Sequence, residues 1–441
     1  MCGIAATING TLDETKAMAH TIRRRGIDTE TTTTDNLTVS FVHLPITTKE
    51  YNQPCKWNDT KVWLNGFISN WKELAEKYCV SYAVKNDTQY LAFHLSSNLP
   101  KSELNGFFAV LSITDGVIDM FTDRYGIKQL YKYTDRGTTY ICSEVKGLQA
   151  VLDLKVDFDA MADWEYSLGV MTDNTIWTGV ERVECLPFVK PEKCDRSYED
   201  AKEILSVLLE DALDRNQYDN AGVYLSGGID SGMIAKGLKS DYSFSVDYLD
   251  GKSEIENIKL NTEGQHYTMI ANDLVGSEYP SKTLEALDDF KVGSCYTNFA
   301  IAELASKFCK VMYSGAGGDE VFNGYTHRYN RPINDVIKRT SKDGKHYDIT
   351  HKEYDWRYLK GILVVEDRMS GWHTMETRYP LLDNDFVDFA LSLPDEYLDN
   401  KRILKDISGL HPDVVSGKKR GFSNPHFTND EWVKFCKESV K

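Results

Sequence analysis

Two groups of residues in this chain have types and spacings suited to chemistry. The first is YLSGGIDSGM at residues 224–233, where paired glycines, two serines and an aspartate lie between a strand-like run and a helix-like run. A turn of this kind offers backbone N–H groups and the positive end of a helix dipole to an anion. The sequence therefore predicts a phosphate-binding turn at Ser226, Gly227 and Gly228.

Asp230 lies inside this turn, and its charge implies a metal ion. A carboxylate repels a bare phosphate unless Mg²⁺ lies between them. A second loop, SGAGGDEVFNGY at 314–325, again places glycines beside an acid, Asp319, at the end of a strand-like run. The chain has no GxxxxGK[ST] motif, so the prediction of a nucleotide site depends on these two loops sharing one Mg²⁺–nucleotide. For the first loop alone, the alternative is an ordinary capped strand-to-helix turn.

The second group surrounds Cys2. Removal of Met1 would leave the Cys2 thiol beside its own α-amine, which can act as its base. The Asn65 amide and the Gly66 N–H could stabilise a tetrahedral oxyanion, and Asp87 could hold a substrate ammonium. These residues predict a nucleophilic cysteine site, whereas Cys2 alone would be an ordinary cysteine.

Two different patterns of elements must position these groups. The first 150 residues carry short β-rich runs typical of antiparallel sheets: LTVSFVHLPI, TKVWLNGFI, GFFAVLSI, GVIDMFT and TTYICSEV, with TETTTTD (29–35) as an exposed strand edge or turn. After a proline-containing break at 184–197, the helical run YEDAKEILSVLLEDALDRN is followed by AGVYL, YSFSVDYL and KVMYSG alternating with helical segments. The second pattern predicts a parallel sheet flanked by helices, with ligands beyond the carboxyl ends of its strands. We expect domains at 1–190 and 196–441.

Several motifs, in order along nearly the whole chain, resemble one family. Cys2 with RRRGID, NGFI, DRYGIKQLY and CSEVKGL is similar to the class II glutamine amidotransferase domain. SGGIDS resembles the loop of the N-type ATP pyrophosphatases, METRYPLLD (375–383) looks like ExRxPxLD, and GKKRGFSNP (417–425) looks like a KxGF segment. Together they resemble the asparagine synthetase family. The resemblance implies an α/β and α+β architecture: an Ntn-type αββα sandwich followed by a helix-flanked parallel-sheet pyrophosphatase domain.

The resemblance also implies an activity, that of a ligase forming C–N bonds with ATP and Mg²⁺. Cys2 would release ammonia from glutamine, and the second domain would activate an acceptor carboxylate as an acyl-adenylate, releasing AMP and pyrophosphate. In the family a lysine neutralises the adenylation transition state; here that role falls on Lys419, which otherwise reads as part of a solvated charge run. The implied site residues are Cys2, Asn65, Gly66 and Lys419 for catalysis; Asp87, His43 and Phe67 for glutamine; Tyr224, Ser226, Gly227, Gly228, Asp230, Ser231, Val246, Ser314 and Gly315 for ATP; and Asp230 and Asp319 for the metal.

Two departures from the family concern the donor. His43 occupies the position of the arginine that binds the carboxylate of glutamine, so the bidentate fork is lost. One of the arginines at 23–25 could compensate. Phe67 replaces the glutamate of an NGE motif. Glutamine and ammonia therefore both remain candidate nitrogen donors.

A third departure concerns the acceptor. Ala316 replaces the acid between the glycines of the second loop, so Glu320 or Glu376 would have to supply the missing group, or the acceptor is not aspartate. The alternatives left open are amidation of a sugar acid, peptide or other metabolite, ring closure on an internal amine, and a noncatalytic ATP-binding homologue.

Composition excludes some partners. A net charge of −16 and a pI near 5.2 disfavour nucleic acid and anionic membranes as partners. Nine scattered cysteines without a CxxC pair, and the lack of an apolar run long enough for a signal peptide or a membrane span, predict a cytoplasmic protein with reduced thiols. The ten histidines form no HxxxH motif, so we expect no zinc or redox metal. A homodimer is left open.

Overall fold

The structure is a computed structural model that describes residues 1–46, 53–167, 174–247, 255–260, 264–274, 278–290, 295–325, 336–340, 346–417 and 429–439. Its strands are β1 Gly3–Ile8, β2 Asp28–Thr34, β3 Leu37–His43, β4 Cys55–Trp57, β5 Thr60–Ile68, β6 Gly106–Thr114, β7 Val117–Thr122, β8 Tyr131–Asp135, β9 Thr138–Cys142, β10 Glu181–Arg182, β11 Ala221–Tyr224, β12 Tyr242–Asp247, β13 Gln265–Ile270, β14 Val311–Tyr313, β15 Val336–Thr340, β16 His346–Thr350 and β17 Glu376–Arg378.

The α-helices in the described residues are α1 Leu12–Thr21, α2 Trp71–Lys77, α3 Asp87–Ser96, α4 Val145–Gln149, α5 Phe158–Ser167, α6 Tyr198–Asn216, α7 Ile229–Leu238, α8 Ile255–Lys259, α9 Tyr279–Leu287, α10 Tyr296–Ala305, α11 Gly318–Val321, α12 His351–Trp372, α13 Asn384–Ser392, α14 Asp395–Leu398, α15 Arg402–Ile407, α16 Pro412–Val415 and α17 Asn429–Ser439. Short 3₁₀ turns lie at Arg23–Arg25, Lys101–Glu103, Ala271–Leu274, Pro380–Leu382 and Asp399–Lys401. In these residues no helix is long and apolar enough to cross a membrane.

The N-terminal half is a sandwich of two antiparallel sheets, ordered β10-β8-β9-β1-β3-β2 and β4-β5-β6-β7. Side chains alternate between the two faces of a strand, so each sheet has an inner and an outer apolar face. Ile4, Phe41 and Trp63 belong to the core between the sheets. On the outer faces, α1 and α4 cover the first sheet, and α2 and α3 cover the second. The predicted αββα arrangement is confirmed.

The C-terminal half contains a five-stranded parallel sheet ordered β13-β12-β11-β14-β17. Val311 and Tyr313 face one apolar cluster, which includes α6 and α7, while Met312 faces another, which includes α10. This period of two buries both faces of the sheet, as expected for parallel strands between helices. Because β11 and β14 are neighbours, the two glycine-rich loops that follow them leave the sheet side by side.

Most predicted strands and helices appear at the expected positions. TETTTTD forms β2, an edge strand of the first sheet, and the long helical run forms α6. The strands that were not predicted include β4, β8 and β10 of the N-terminal sheets, the antiparallel β15–β16 hairpin, and the two edge strands of the parallel sheet, β13 and β17. The domain boundary between 190 and 196 stays a prediction.

Buried ion pairs join the two halves. Arg25 pairs with Glu144 at 2.6 Å and with Asp367 of α12 at 3.2 Å. Lys128 reaches the other carboxylate oxygen of Asp367 at 3.0 Å. Charges removed from water in this way need partners that are fixed in place. The two halves therefore meet through an interface that depends on exact side-chain positions.

Candidate active site

A cavity opens beside Cys2, which immediately precedes the central strand β1. The Sγ atom accepts a hydrogen bond from the backbone N–H of Leu44 at 3.4 Å. Burial raises the pKa of the Cys2 thiol, and the neighbouring amino terminus opposes that rise. Burial also lowers the pKa of the amine of Met1 to about 5, so this amine is neutral near pH 7. The N-terminal nucleophile chemistry instead uses the amine of Cys2, which becomes free only when Met1 is removed.

Gly66 lines the cavity, and its backbone requires glycine. Its φ is +126°, and a Cβ would lie 2.0 Å from the carbonyl oxygen of Phe107 in β6. The neighbouring Asn65 is fully buried, and neither its Nδ2 nor its Oδ1 has a hydrogen-bond partner among the described residues. Unpaired buried amides are rare and commonly mark functional positions.

Asp87 and His43 lie in the wall of the same cavity. Asp87 is the first residue of α3, and its carboxylate accepts hydrogen bonds from the backbone N–H groups of Ile68 at 3.2 Å and Thr88 at 2.8 Å. Burial nevertheless raises the pKa of Asp87 to about 6. Burial also lowers the pKa of His43, which keeps that imidazole neutral near pH 7.

Two residues of the C-terminal sheet complete this cavity. Glu376 and Arg378, at alternate positions of β17, both line it. The guanidinium carbon of Arg378 lies 4.1 Å from the ring centroid of Phe67, a cation–π contact. No motif in the sequence predicts that β17 lies beside Cys2. The suggested substitute Arg25 is instead held by Glu144 and Asp367.

The first phosphate loop has the predicted form. It follows β11, and Gly228 is the N-cap of α7. The backbone N–H of Ser226 donates to Ser231 Oγ at 3.1 Å, and the two serine hydroxyls lie 3.1 Å apart. These contacts fold the turn back on the first turn of α7, so its backbone lies at the positive end of the helix dipole.

The second loop packs directly against the first. A Cβ at Gly315 would lie 2.8 Å from the backbone nitrogen of Ser231, and one at Gly318 would lie 2.4 Å from Asp230 Oδ1. Glycine at these positions therefore permits the close approach of the two loops. Ser314, which precedes them, donates its backbone N–H to the carbonyl oxygen of Arg378 at 3.0 Å.

Asp230 and Asp319 converge, as a shared metal would require. Lys401 contacts both carboxylates, pairing with Asp230 and lying 2.7 Å from Asp319 Oδ1. Asp230 Oδ1 is buried and has no hydrogen-bond partner among the described residues. Mg²⁺ prefers oxygen ligands, and the two carboxylates converge on one cation position, where Asp230 Oδ1 is available as a ligand. Sequence reasoning missed Lys401, which follows a left-handed Asn400 and carries no recognisable motif.

The remaining ATP-site residues are placed less directly. Tyr224 ends β11, and its hydroxyl lies near Ser370 and Thr377. Val246 lies in β12, the next strand of the sheet, and is half-buried. Lys419 falls outside the described residues.

Three buried carboxyl groups bear on the alanine at 316. Glu320 accepts a hydrogen bond from Tyr325 at 3.1 Å, and burial raises its pKa to about 7. Glu376 lies in the Cys2 cavity, where it interacts with Arg378 and Lys128. Glu366 of α12 lies near Ser314, and burial raises its pKa to about 7. Glu366 was not predicted, since its position on a helix gave no sign that it faces a strand-end loop.

Family comparisons agree with this two-site geometry. The family model described as Asparagine synthase matches residues 205–346 and 334–439. The chain belongs to the asparagine synthase family. A second family model, Glutamine amidotransferase domain, matches residues 1–197.

Members of the family with related sequences come from distant organisms. A putative asparagine synthetase [glutamine-hydrolyzing] 1 of Methanocaldococcus jannaschii is 27% identical over 425 residues, covering 87% of this chain and 75% of that protein. The asparagine synthetase [glutamine-hydrolyzing] of Homo sapiens is 25% identical, covering 90% and 77%. The one from Gallus gallus is 24% identical, covering 76% and 65%.

Among solved structures, glutamine phosphoribosylpyrophosphate amidotransferase from B. subtilis has 13% identity. The matched region covers 61% of this chain and 81% of the amidotransferase chain, with a TM-score of 0.32.

Proposed function

We propose that this chain is a glutamine-hydrolysing, ATP-dependent amide ligase. Its N-terminal site releases ammonia from glutamine, and its C-terminal site couples that ammonia to a carboxylate activated as an acyl-adenylate, with release of AMP and pyrophosphate. The observation that supports this best is that strand β17 of the C-terminal sheet contributes to both sites. β17 lines the Cys2 cavity through Glu376 and Arg378, and its Arg378 carbonyl binds Ser314 of the nucleotide loop. Ammonia would be released close to where it is used.

In the amidotransferase half, the residues around Cys2 have separate roles. Once Met1 is removed, the amine of Cys2 takes the proton of its thiol, and the thiolate attacks the carboxamide of glutamine. The Gly66 N–H and the unpaired Asn65 amide stabilise the oxyanion. Asp87 holds the ammonium of the donor.

In the synthetase half, the two loops bind the nucleotide. Ser226, Gly227, Gly228 and Ser231 bind phosphate through their N–H and hydroxyl groups. Asp230 and Asp319 are the residues that would hold Mg²⁺, which when bound offsets phosphate charge. Tyr224, Val246, Ser314 and Gly315 form the adenosine side. Lys419 is proposed to offset charge in the transition state, and Lys401 orients the two aspartates.

Aspartate is the acceptor that the family membership favours. Ala316 leaves room rather than a functional group, and the buried carboxyls of Glu320 and Glu366 lie next to that loop. The alternatives, another carboxylate or an internal amine, have no structural observation in their favour. None of the nine cysteines forms a disulfide in the described residues, which supports a reducing, cytosolic location.

Product analysis of purified protein tests the proposal. With Mg²⁺–ATP, aspartate and glutamine, we expect AMP, pyrophosphate, glutamate and asparagine. Cys2→Ala should abolish the use of glutamine and leave turnover with ammonium intact. Equal loss with both donors would contradict the division into two sites, and AMP formed only with a different carboxylate would reassign the acceptor. Size-exclusion chromatography with light scattering tests whether the protein is a homodimer.

A further inference from the structure

We propose that Arg378 of the synthetase sheet binds the α-carboxylate of the donor amino acid in the Cys2 cavity, in place of the arginine that the amidotransferase half lacks at position 43. This inference rests on the proposed function, because it concerns the glutamine used by that site. It makes Arg378 a binding residue contributed by one half of the chain to the active site of the other.

The position of Arg378 fits this role. It lines the cavity together with Cys2 and Asp87, and it is 3% exposed. Its Nε donates to Glu376 Oε1 at 2.9 Å, and its Nη1 donates to the carbonyl oxygen of Asn216 at 3.1 Å. A guanidinium has five N–H donors, so these two bonds fix its plane and leave donors for a ligand.

Phe67 explains why the guanidinium is available. The guanidinium carbon of Arg378 lies over the ring, 4.1 Å from its centroid. An aromatic face holds the cation without occupying its N–H groups, which point outward in the guanidinium plane. A glutamate at position 67 would instead pair with Arg378 and occupy that fork. The departures at His43 and Phe67 therefore belong together: the first removes the usual carboxylate-binding arginine, and the second leaves Arg378 free to replace it.

The charges around the cavity also favour the assignment. Glu376 shares the cavity wall, but Lys128 and the amino terminus interact with it in addition to Arg378. Arg378 and Lys128 thus offset its charge. An amino acid donor carries one ammonium and one carboxylate, and the cavity offers Asp87 for the first and Arg378 for the second.

The other candidate arginines are engaged elsewhere. Arg25 forms ion pairs with Glu144 and Asp367. Arg23 contacts His20 at 2.8 Å, and Arg24 stacks on Trp372 with 4.3 Å to the ring centroid. His43 is kept neutral by burial, so it offers a carboxylate no charge.

Ligand binding to the Cys2→Ala protein tests the proposal, because binding is then separate from turnover. Isothermal titration calorimetry compares glutamine with 4-aminobutanamide, which is glutamine without its α-carboxylate. We expect glutamine to bind roughly 10- to 100-fold more tightly, as for a charge-assisted hydrogen bond. Adding Arg378→Gln should remove this preference. Arg378→Lys keeps the charge without the fork and should reduce the preference about 10-fold.

Controls separate a local effect from a general one. Arg124→Met removes another arginine that joins the two halves, through Asp388, and should leave the preference unchanged. Restoring a cation with His43→Arg in the Arg378→Gln protein should recover part of it. If Arg378→Gln does not fold, Arg378→Lys decides the matter.

Two results would overturn the assignment. The first is equal binding of the two ligands by Cys2→Ala, and the second is full preference retained by Arg378→Gln or by Arg378→Lys. Absence of any glutamine binding by Cys2→Ala would refute glutamine as the donor. That failure appears before Arg378 is changed, so it is distinguishable from failure of the assignment.

Discussion

The carbonyl oxygen of Arg378 accepts a hydrogen bond from the backbone N–H of Ser314 at 3.0 Å, while the side chain of Arg378 reaches the cavity of Cys2. One residue thus touches the nucleotide loop through its backbone and the amidotransferase site through its guanidinium. This hydrogen bond continues the pairing of β14 with β17, so the loop that follows β14 is attached directly to the strand that forms the cavity wall. The two sites should therefore be coupled.

The pH dependence of glutamine use should follow Asp87. Its pKa is raised to about 6 in the free protein, and only the ionised form attracts the ammonium of the donor. The kcat/KM for glutamine should therefore fall as the pH drops through about 6, since this parameter reports the free enzyme. Ammonium-driven turnover does not need Asp87 and serves as the control. An identical inflection with both donors would contradict this role.

Lys401→Met should destabilise the protein. The substitution leaves Asp230 and Asp319 facing each other, each largely buried, without their shared cation. Breaking a buried pair of this kind costs about 3 kcal/mol. Added Mg²⁺ should raise the thermal midpoint of the variant more than that of the parent, because the ion replaces the lost charge. Lys405→Met, four residues later, is the control, and an equal response to Mg²⁺ in both variants would refute the metal assignment.

Gly315→Ala should separate the two nucleotide loops. The new Cβ meets backbone atoms of Ser231, which cannot yield without moving α7. We expect a loss of stability of about 1–3 kcal/mol and loss of ATP–pyrophosphate exchange. Gly228→Ala is the stability control, since its Cβ would meet only Ser226 Oγ, at 3.2 Å. Unchanged exchange in Gly315→Ala would show that the close contact is unnecessary.

Arg25→Met should weaken the junction between the halves. It removes two buried ion pairs and a hydrogen bond of 2.7 Å from Nε to the carbonyl oxygen of Cys2. We expect a loss of about 3 kcal/mol, read as a lower midpoint in thermal denaturation. The exposed Arg23→Met should have little effect. Similar midpoints for the two variants would contradict a structural role for Arg25.

The sequence predicts the architecture well because periodicity and turn residues report local structure. Short apolar runs rich in β-branched and aromatic residues mark β5 and β6, and the helical spacing of α6 is unbroken over 19 residues. β17 escaped prediction because three residues are too few to show a period. Its place in the sheet depends on pairing with β14, which is a long-range contact.

The residues of the candidate site also differ in whether local sequence patterns predict them. Local sequence motifs predict Gly66, Asp87 and the two glycine-rich loops. They do not predict Arg378, Lys401 or Glu366, since each acts through residues distant in the chain that the fold brings together. The suggestion that one of Arg23, Arg24 or Arg25 could serve the donor stays a prediction, although Arg25 has buried acidic partners.

Met1 is fully buried, and Arg25 Nη2 contacts its sulfur. An aminopeptidase needs an extended and accessible N-terminus, so it cannot cut the Met1–Cys2 bond in the folded protein. Maturation of the nucleophile must then precede folding of the sandwich. Chains refolded from denaturant with Met1 still attached would regain structure and ammonium-dependent synthesis but remain permanently unable to use glutamine.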